Sequence, residues 1–465
     1  MLRKKDDFQE KFQHFLRKLR NEILSGKIKR GEFILPENTL SQQFELSRVS
    51  IRKGLAELVE EGLIEKIPGK GNRVVFQENQ NKQSIKLAWF STSYEIDVVK
   101  KIIKMFEQKN PFVKVELEIY PNDSYAKTIL SAIKTGNGPD VFILSDHHFR
   151  DVTELNGTRY LEEHTPKNFK TYSAVSRMFT HQNKQKAVPF VFSPVVICYN
   201  KDLIKKSESN IKSWNQLLQV SKDSTVVNND SIVETFGFCF SSAPNRWPVF
   251  LLQNGGGFRK DGESIMNQKA NKEALQYCVD LMYKHKVSPV FTHGSNQLAE
   301  DLFMKKRAAM ILTTYYFMNE FKDCGFDWDV MQLPKQKEPA TLLLGGGLGI
   351  NSDSAYKEVA RSLVDFMVSD EAQMVIKQNM CTIPASCRIA ANEDIMNKDN
   401  HPENYHVFLK SMEHAVPVKD FGLTQDEIIS IQYELHLLWA NMERVDDVCE
   451  RVQDLLENKS VMNVK

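Results

Sequence analysis

Two arginines four positions apart, Arg48 and Arg52, follow Ser47 where the sequence starts a helical run. Residues four apart share one helix face, and guanidinium groups near a helix N-terminus suit the phosphates and base edges of a DNA major groove. Lys53 lies on the same basic side, opposite the apolar Ile51, Leu55, Leu58 and Val59. Pro68-Gly69-Lys70-Gly71-Asn72-Arg73 forms a second basic cluster, joining two short apolar runs as a hairpin with a glycine-rich tip, a feature that any small helical domain can also carry. Other reactive residue types lack the spacing that chemistry needs. His147-His148 has no third ligand at a metal-binding spacing. The glycine triplets at 255–257 and 345–347 lack the Gly-Lys-Ser/Thr ending of a phosphate loop. Seven cysteines are scattered without a C-x-x-C pair and are expected to be reduced and mostly buried.

These residues need elements to hold them. A chain of 465 residues, 42% apolar and 26% charged, is too long for one core and suits two or three domains. No stretch approaches the ~18–20 apolar residues of a membrane helix. The charged, amphipathic start lacks an apolar signal region, so a cytoplasmic location is expected, with no membrane partner. Charge is uneven: residues 1–76 hold 16 Lys/Arg against 11 Asp/Glu, although the whole chain has a net charge of +1. That excess points to an anionic partner for an N-terminal module.

Within that module, Phe8, Phe12, Phe15, Leu16, Leu19 and Ile23 recur at helical spacing, ending at Ser25-Gly26. A short helix from Thr39 to Phe44 follows Leu35-Pro36, and Ser47 caps the next. The ordered set I-L-S-G-x-I-x-x-G-x-x-L-P-x-N-x-L, S-R-V-S-I-R-K-G-L-x-x-L-x-x-E-G-L-I and G-K-G-N-R-V-V resembles the winged helix-turn-helix of GntR-family transcription factors over residues 8–76. The resemblance implies DNA contacts from Arg48 and Arg52, phosphate contacts from Ser47 and Ser50, and a wing whose Gly71 lets the backbone near the minor groove between Lys70 and Arg73. The family's Leu-Pro-Ser-Glu is here Leu35-Pro36-Glu37-Asn38, with Thr39 where an arginine is usual. Asn38 is expected to replace the missing cap, and one family DNA contact is absent.

After a polar stretch at 77–84, read as a linker, strands at 85–90, 113–119 and 141–144 alternate with helices at 97–108 and 124–134. That order implies a parallel sheet with ligands at the carboxyl ends of its strands. FEQKNPFVKVELEIY, AIKTGNGPDVFIL, QKAVPFVFSPVVICYNKDLI, LFMKKRAAMI, and LLLGGGLGINSDSAYKEVARSLVDFMVSDEAQ followed by TIPAS resemble, in this order, the family 1 extracellular solute-binding proteins. The resemblance spans about residues 85–460. Most of these motif residues are architectural; Gly345–Gly347 are expected to precede a hinge-side strand.

The implied fold is α/β: the winged helix-turn-helix (1–76), a linker (77–84) and a two-lobed body of the periplasmic-binding type (85–465) with a cleft between lobes. Sugar recognition needs aromatic faces for the ring and planar polar groups for hydroxyl pairs. By position the candidates are Trp89, Phe90, Tyr94, Asp146, His147 and Phe192 from one side, and Trp247, Tyr315 and Tyr316 from the other. Any one aromatic also suits the core, and Trp328 suits it better. The expected function is a homodimeric regulator that binds double-stranded operator DNA and senses a carbohydrate, with no cofactor, metal or catalysis. The alternative is an ABC-transporter-type solute-binding protein without gene regulation, which would require export. An aminotransferase body is not expected, because no Asn-Pro-x-x-Pro-Thr-Gly segment or Schiff-base lysine context is present.

Overall fold

The computed structural model describes residues 11–462 other than 13, 21, 24–26, 76–82, 206–209, 291–295 and 398. The chain divides into two compact units, Met1–Ser84 with Glu107–Lys114, and Ile85–Phe106 with Val115–Lys465. The expected helix start at Phe8, its end at Ser25-Gly26 and most of the expected linker fall outside the described residues.

In the first unit, Phe12, Phe15, Leu16, Leu19 and Ile23 form the buried side of the first helix. α1 (Glu37–Phe44) ends at Glu45, whose φ of 52° turns the chain left-handed. α2 (Arg48–Glu60) starts at Ser47, whose hydroxyl accepts the Ser50 N–H. At Gly54 α2 meets the first helix so closely that a Cβ would stand 2.6 Å from Phe15 Cε1. β1 (Ile64–Ile67) and β2 (Gly71–Val74) make an antiparallel hairpin, with Glu65 opposite Arg73. Backbone bonds from 31–34 extend its edge: Gly31 N–H to Val74 at 2.8 Å and Ile34 N–H to Asn72 at 2.8 Å. One expectation is corrected here. α1 begins at Glu37, two residues before the expected Thr39, so Pro36 occupies the cap position without a side-chain acceptor and Asn38 lies inside the first turn. Proline suits this place because its fixed φ leads into the helix and it has no N–H to leave unpaired.

After the hairpin come β3 (Gln83–Phe90), α3 (Ile96–Lys109), β4 (Val113–Tyr120), α4 (Tyr125–Lys134) and β5 (Val141–Ser145), which belong to the second unit apart from Gln83, Ser84 and residues 107–114. β3 therefore starts at Gln83, taking in the last two residues assigned to the linker. β3 and β5 are parallel, with Leu87 opposite Val141. α5 (Asp146–Glu154) follows directly, and β6 (Val188–Asn200), β7 (Val233–Cys239), β8 (Ala308–Thr314) and β9 (Thr341–Ile350) complete the main sheet. Its order is β4-β3-β5-β9-β6-β8-β7, with the short strand Val226–Val227 at the β7 edge.

Two long strands join the lobes. All 13 residues of β6 are buried; its first half pairs with β9, with Val188 opposite Leu348, and its second half pairs with β8, with Val195 opposite Thr314. β9 pairs in turn with β5, with Gly346 opposite Ser145. One lobe is thus built on β4, β3 and β5, the other on β7 and β8, which are also parallel. Gly345–Gly347 lie inside β9 instead of preceding a strand, and side chains fill the space above them: a Cβ would stand 2.4 Å from Met178 Cε at Gly345 and 2.9 Å from the Phe179 ring at Gly347. Late in the chain, α6 (Gln425–Trp439) packs Ile428, Ile431, Leu435 and Leu438 into the core of the second lobe.

Candidate functional site

The start of α2 is the exposed basic feature of the first unit. Ser47 Oγ accepts the Ser50 N–H at 3.1 Å and lies 2.8 Å from Ser50 Oγ, so the two hydroxyls support one another at the helix entrance. Arg48 is exposed, and Val49 beside it is 76% exposed, an apolar side chain suited to a thymine methyl that sequence reasoning did not single out. Arg52 also points outward, but its Nε is 2.7 Å from Glu37 Oε2. Lys53 turns toward the first helix, its Nζ 5.8 Å from the Phe12 ring centroid. On the hairpin, Lys70 and Gly71 are exposed at the tip, and Gly71 has a φ of +109° that a side chain would strain. Arg73 is bound to Glu65 across the strands, its Nε donating at 2.9 Å. Of the three arginines expected to meet DNA, Arg48 is therefore the one with no hydrogen bond or ion pair among the described residues.

The body carries a cavity of about 180 Å³ at the carboxyl ends of β3 and β5. Trp89, Phe90 and Tyr94 line it from the β3 end, Ser145 and Asp146 from the β5 end, and Tyr316 and Phe317 from the chain after β8; Ile143, Val191 and Gly345–Gly346 also face it. Trp89 Nε1 donates to Ser93 Oγ at 2.7 Å, and Ser93 donates to Glu95. Burial raises the Glu95 carboxyl above its usual range, only partly offset by that hydroxyl. Asp146 is likewise raised by burial, against the opposing charges of Arg150 and His147. Tyr94 Oη donates to Glu320 Oε1 at 2.5 Å, linking the lobes directly, and Gln297 Nε2 donates to the other Glu320 oxygen at 3.1 Å.

Beside this cavity the second lobe holds polar atoms that nothing satisfies. Arg246 is fully buried, and its Nε and Nη2 have no hydrogen-bond partner among the described residues; the same holds for Tyr316 Oη, Thr314 Oγ1 and Glu300 Oε2. Burial lowers the Arg246 guanidinium to about 10, while the Glu300 and Asp146 carboxylates pull it back up. Burial also pushes Glu300 up to about 7, although Thr313 Oγ1 donates to it at 2.8 Å. An unpaired buried polar group costs ~1–3 kcal/mol. Buried atoms of this kind are satisfied by groups that both donate and accept, as hydroxyls do.

The structure thus brings Trp89, Phe90, Tyr94, Asp146 and Tyr316 to one cavity. It does not bring Phe192, Trp247, Tyr315 or His147 there. Successive strand residues point to opposite faces, so Val191 faces the cavity while Phe192 packs edge-on against Tyr172 at 5.4 Å. Tyr315 is stacked on Phe408 at 4.3 Å and hydrogen-bonded to His401, on the side opposite Tyr316. Trp247 is buried between Phe258 and Trp439. His147 is exposed on α5, 3.6 Å from Asp151. Glu95, Arg246 and Glu300 escaped sequence reasoning. For Arg246 and Glu300 the available signal was a charge in an otherwise buried phase: Glu300 sits between Ala299 and Phe303, on the apolar side of its helix.

Comparison with known proteins agrees with this geometry. The family described as "Bacterial extracellular solute-binding protein" matches residues 92–374, and "Bacterial regulatory proteins, gntR family" matches 13–74. An arabinooligosaccharide-binding protein of Halalkalibacterium halodurans is 22% identical over 61% of this chain and 67% of its own length. A galactooligosaccharide-binding protein of Bacillus subtilis is 23% identical over 72% and 77%. Among solved structures, an ABC substrate-binding protein from Listeria monocytogenes in complex with cycloalternan superposes with a TM-score of 0.69 at 24% identity, over 82% of this chain and 99% of that one. Maltose-bound MalE3 of T. maritima gives 0.68 at 22% identity, over 80% and 99%. These likenesses establish the two-lobed fold, and both matched families are binding and regulatory ones. No helix among the described residues is long and apolar enough to cross a membrane.

Proposed function

The chain belongs to the bacterial extracellular solute-binding protein family and carries a GntR-family regulatory domain ahead of it, and on that premise we propose a one-component transcriptional regulator that reads operator DNA with its head and senses a saccharide with its body. The carrying observation is the union in one chain of an exposed recognition-helix arginine, Arg48, with a cavity lined by Tyr316, whose buried hydroxyl lacks a partner among the described residues, and by Phe317, whose ring lies 5.7 Å from the buried Arg246 guanidinium. Such a molecule works in the cytoplasm, where its DNA is, and binds a pseudo-palindromic site as a homodimer. Closure of the lobes on ligand alters DNA affinity to the extent that open and closed forms hold the two heads differently. A coupling of ~1–3 kcal/mol changes affinity ~5- to 150-fold.

The placement supports the following roles. Arg48 contacts base edges or phosphate, with Ser47 and Ser50 at the backbone and Lys70-Gly71 at the wing. Arg52 joins by leaving Glu37 and Arg73 by leaving Glu65, and the exposed Lys53 by leaving the Phe12 ring. In the cleft, Trp89, Tyr94 and Tyr316 offer ring faces, and Asp146, Glu95, Glu300 and Arg246 take hydroxyls. The relatives named above point to oligosaccharides as the class to test.

The test is fluorescence anisotropy on a labelled fragment from upstream of the protein's own gene, with a scrambled control, a salt series, and a panel of malto-, arabino- and galacto-oligosaccharides. Specific binding that weakens steeply with salt and shifts with one saccharide is expected. Saccharide binding by calorimetry with no preference for the operator fragment would favour a solute-binding protein without gene regulation.

A further inference from the structure

α6 is apolar on two sides, and only one of them is covered. Its inner side supplies Ile428, Ile431, Leu435 and Leu438 to the core. On its outer side Ile429 is 53% exposed, Tyr433 73% and Leu437 44%, and Met442 just beyond the helix is 73% exposed. Single exposed apolar residues are ordinary, but a stripe at i, i+4 and i+8 is a contact surface.

The order of residues in the stripe says what covers it. Ile429 and Leu437 stand four residues to either side of Tyr433, so the stripe reads the same in both directions: aliphatic, aromatic, aliphatic. A two-fold axis through Tyr433 lays a second α6 antiparallel on the first. Tyr433 then meets Tyr433 of the other copy, and each Ile429 meets Leu437. The flanking charge agrees, because the exposed Asp426 in the first turn of each copy is carried to the other copy's C-terminal turn, away from its counterpart. Opposed helix dipoles favour that direction as well. A parallel pair would instead place Asp426 beside Asp426.

We infer that a second copy of this chain docks antiparallel on the outer face of α6 about a two-fold axis at Tyr433. The surface is self-complementary, as an isologous dimer requires. This assignment rests on the two-headed DNA-reading proposal for its purpose only, and it is tested without DNA. A standard interface covers ~800 Å² per partner, so the stripe is the centre of the contact and neighbouring surface completes it.

The full-length protein is first weighed by sedimentation equilibrium at micromolar concentration. The wild type is expected at twice the chain mass and Tyr433→Glu, at a position outside the core, at the chain mass with an unchanged circular dichroism spectrum. A monomeric wild type, or a Tyr433→Glu variant as dimeric as the wild type, would overturn the assignment. Cysteine pairing then fixes the register without relying on loss. Oxidised Tyr433→Cys should cross-link to itself. Ile429→Cys and Leu437→Cys should each stay uncross-linked alone and form a covalent dimer when mixed after co-refolding or co-expression. Wild type, whose Cys324 and Cys387 are only half-buried, is the oxidation control. Self-cross-linking of Ile429→Cys would overturn the antiparallel arrangement. Failure of Tyr433→Cys to couple in a wild-type-like dimer would place the interface elsewhere. Because mass and cross-links are read without DNA, a failed operator assay leaves both results standing.

Discussion

Removing the Tyr94 hydroxyl tests whether closure of the lobes is coupled to ligand binding. Tyr94→Phe keeps the ring and its edge contact with Phe317 at 6.0 Å and deletes only the bond to Glu320, which is 2.5 Å long and ends on a carboxylate. Hydrogen bonds to charged groups contribute ~1.5–3 kcal/mol. Tyr94 is partly exposed, so water competes and the lower end applies. Glu320 is not stranded by the change, since Gln297 still donates to it at 3.1 Å. A loss of ~1.5 kcal/mol moves the closed-to-open ratio about tenfold, and with the closed form in the minority before binding, the apparent Kd for ligand rises by the same factor. The assay is titration calorimetry with whichever saccharide of the panel binds the wild type most tightly. Glu320→Gln and the double variant complete a thermodynamic cycle. A coupling of ~1–1.5 kcal/mol between the two positions is expected. Unchanged affinity, or single effects that add to within ~0.5 kcal/mol, would refute closure through this bond.

Three further outcomes follow from the placements described. Arg48→Ala should weaken operator binding by ~1–3 kcal/mol in anisotropy and leave saccharide affinity unchanged; equal loss of both would contradict the separation of head and cleft. Trp247→Ala and Tyr315→Ala remove buried rings, so each should lower unfolding stability by ~3–5 kcal/mol in urea titrations, while saccharide affinity measured on the folded fraction stays within twofold of wild type. A selective loss of binding with unchanged stability would return them to the site. For Glu300 the folded value of about 7 lies above the ordinary 4.5, so the folded state keeps a proton that the unfolded state releases. That contribution is fully present below about pH 4.5, is lost as pH rises to about 7, and reaches at most ~3 kcal/mol. Glu300→Gln should flatten the pH dependence of Tm across that window, and an unaltered slope would disprove the assignment.

The elements were legible where period and order carry the information. The spacing of Phe12, Phe15, Leu19 and Ile23 marks a helix with one buried side, and the alternation from β3 to β5 marks a parallel sheet. The cleft was legible only near a strand's carboxyl end, where Trp89, Tyr94 and Asp146 lie. Facing was not, because β6 is apolar on both sides: nothing in Pro189-Phe190-Val191-Phe192 distinguishes the side that meets the cavity. For Tyr315-Tyr316 the two neighbours are chemically identical, and only the direction of the chain leaving β8 separates core from site. The Glu37–Arg52 pair joins positions fifteen apart on different helices, a distance at which one sequence carries no signal. Pro36 as the cap of α1 was hidden by the habit of seeking a hydroxyl or amide there.

β6 and β9 also determine where this molecule can be divided. Each strand belongs to both lobes at once, and the backbone enters and leaves each lobe more than once, so no single cut yields a lobe with its own complete sheet. Severing them would leave half of β6 with a row of open N–H and C=O groups and a buried face turned to water. Genetic exchange between the lobes therefore has the whole two-lobed sheet as its smallest unit. The slowest amide protons to exchange should be those of Val191–Ser193 and Val195–Val196, at the seam between the lobes, with both lobes opening in one cooperative event.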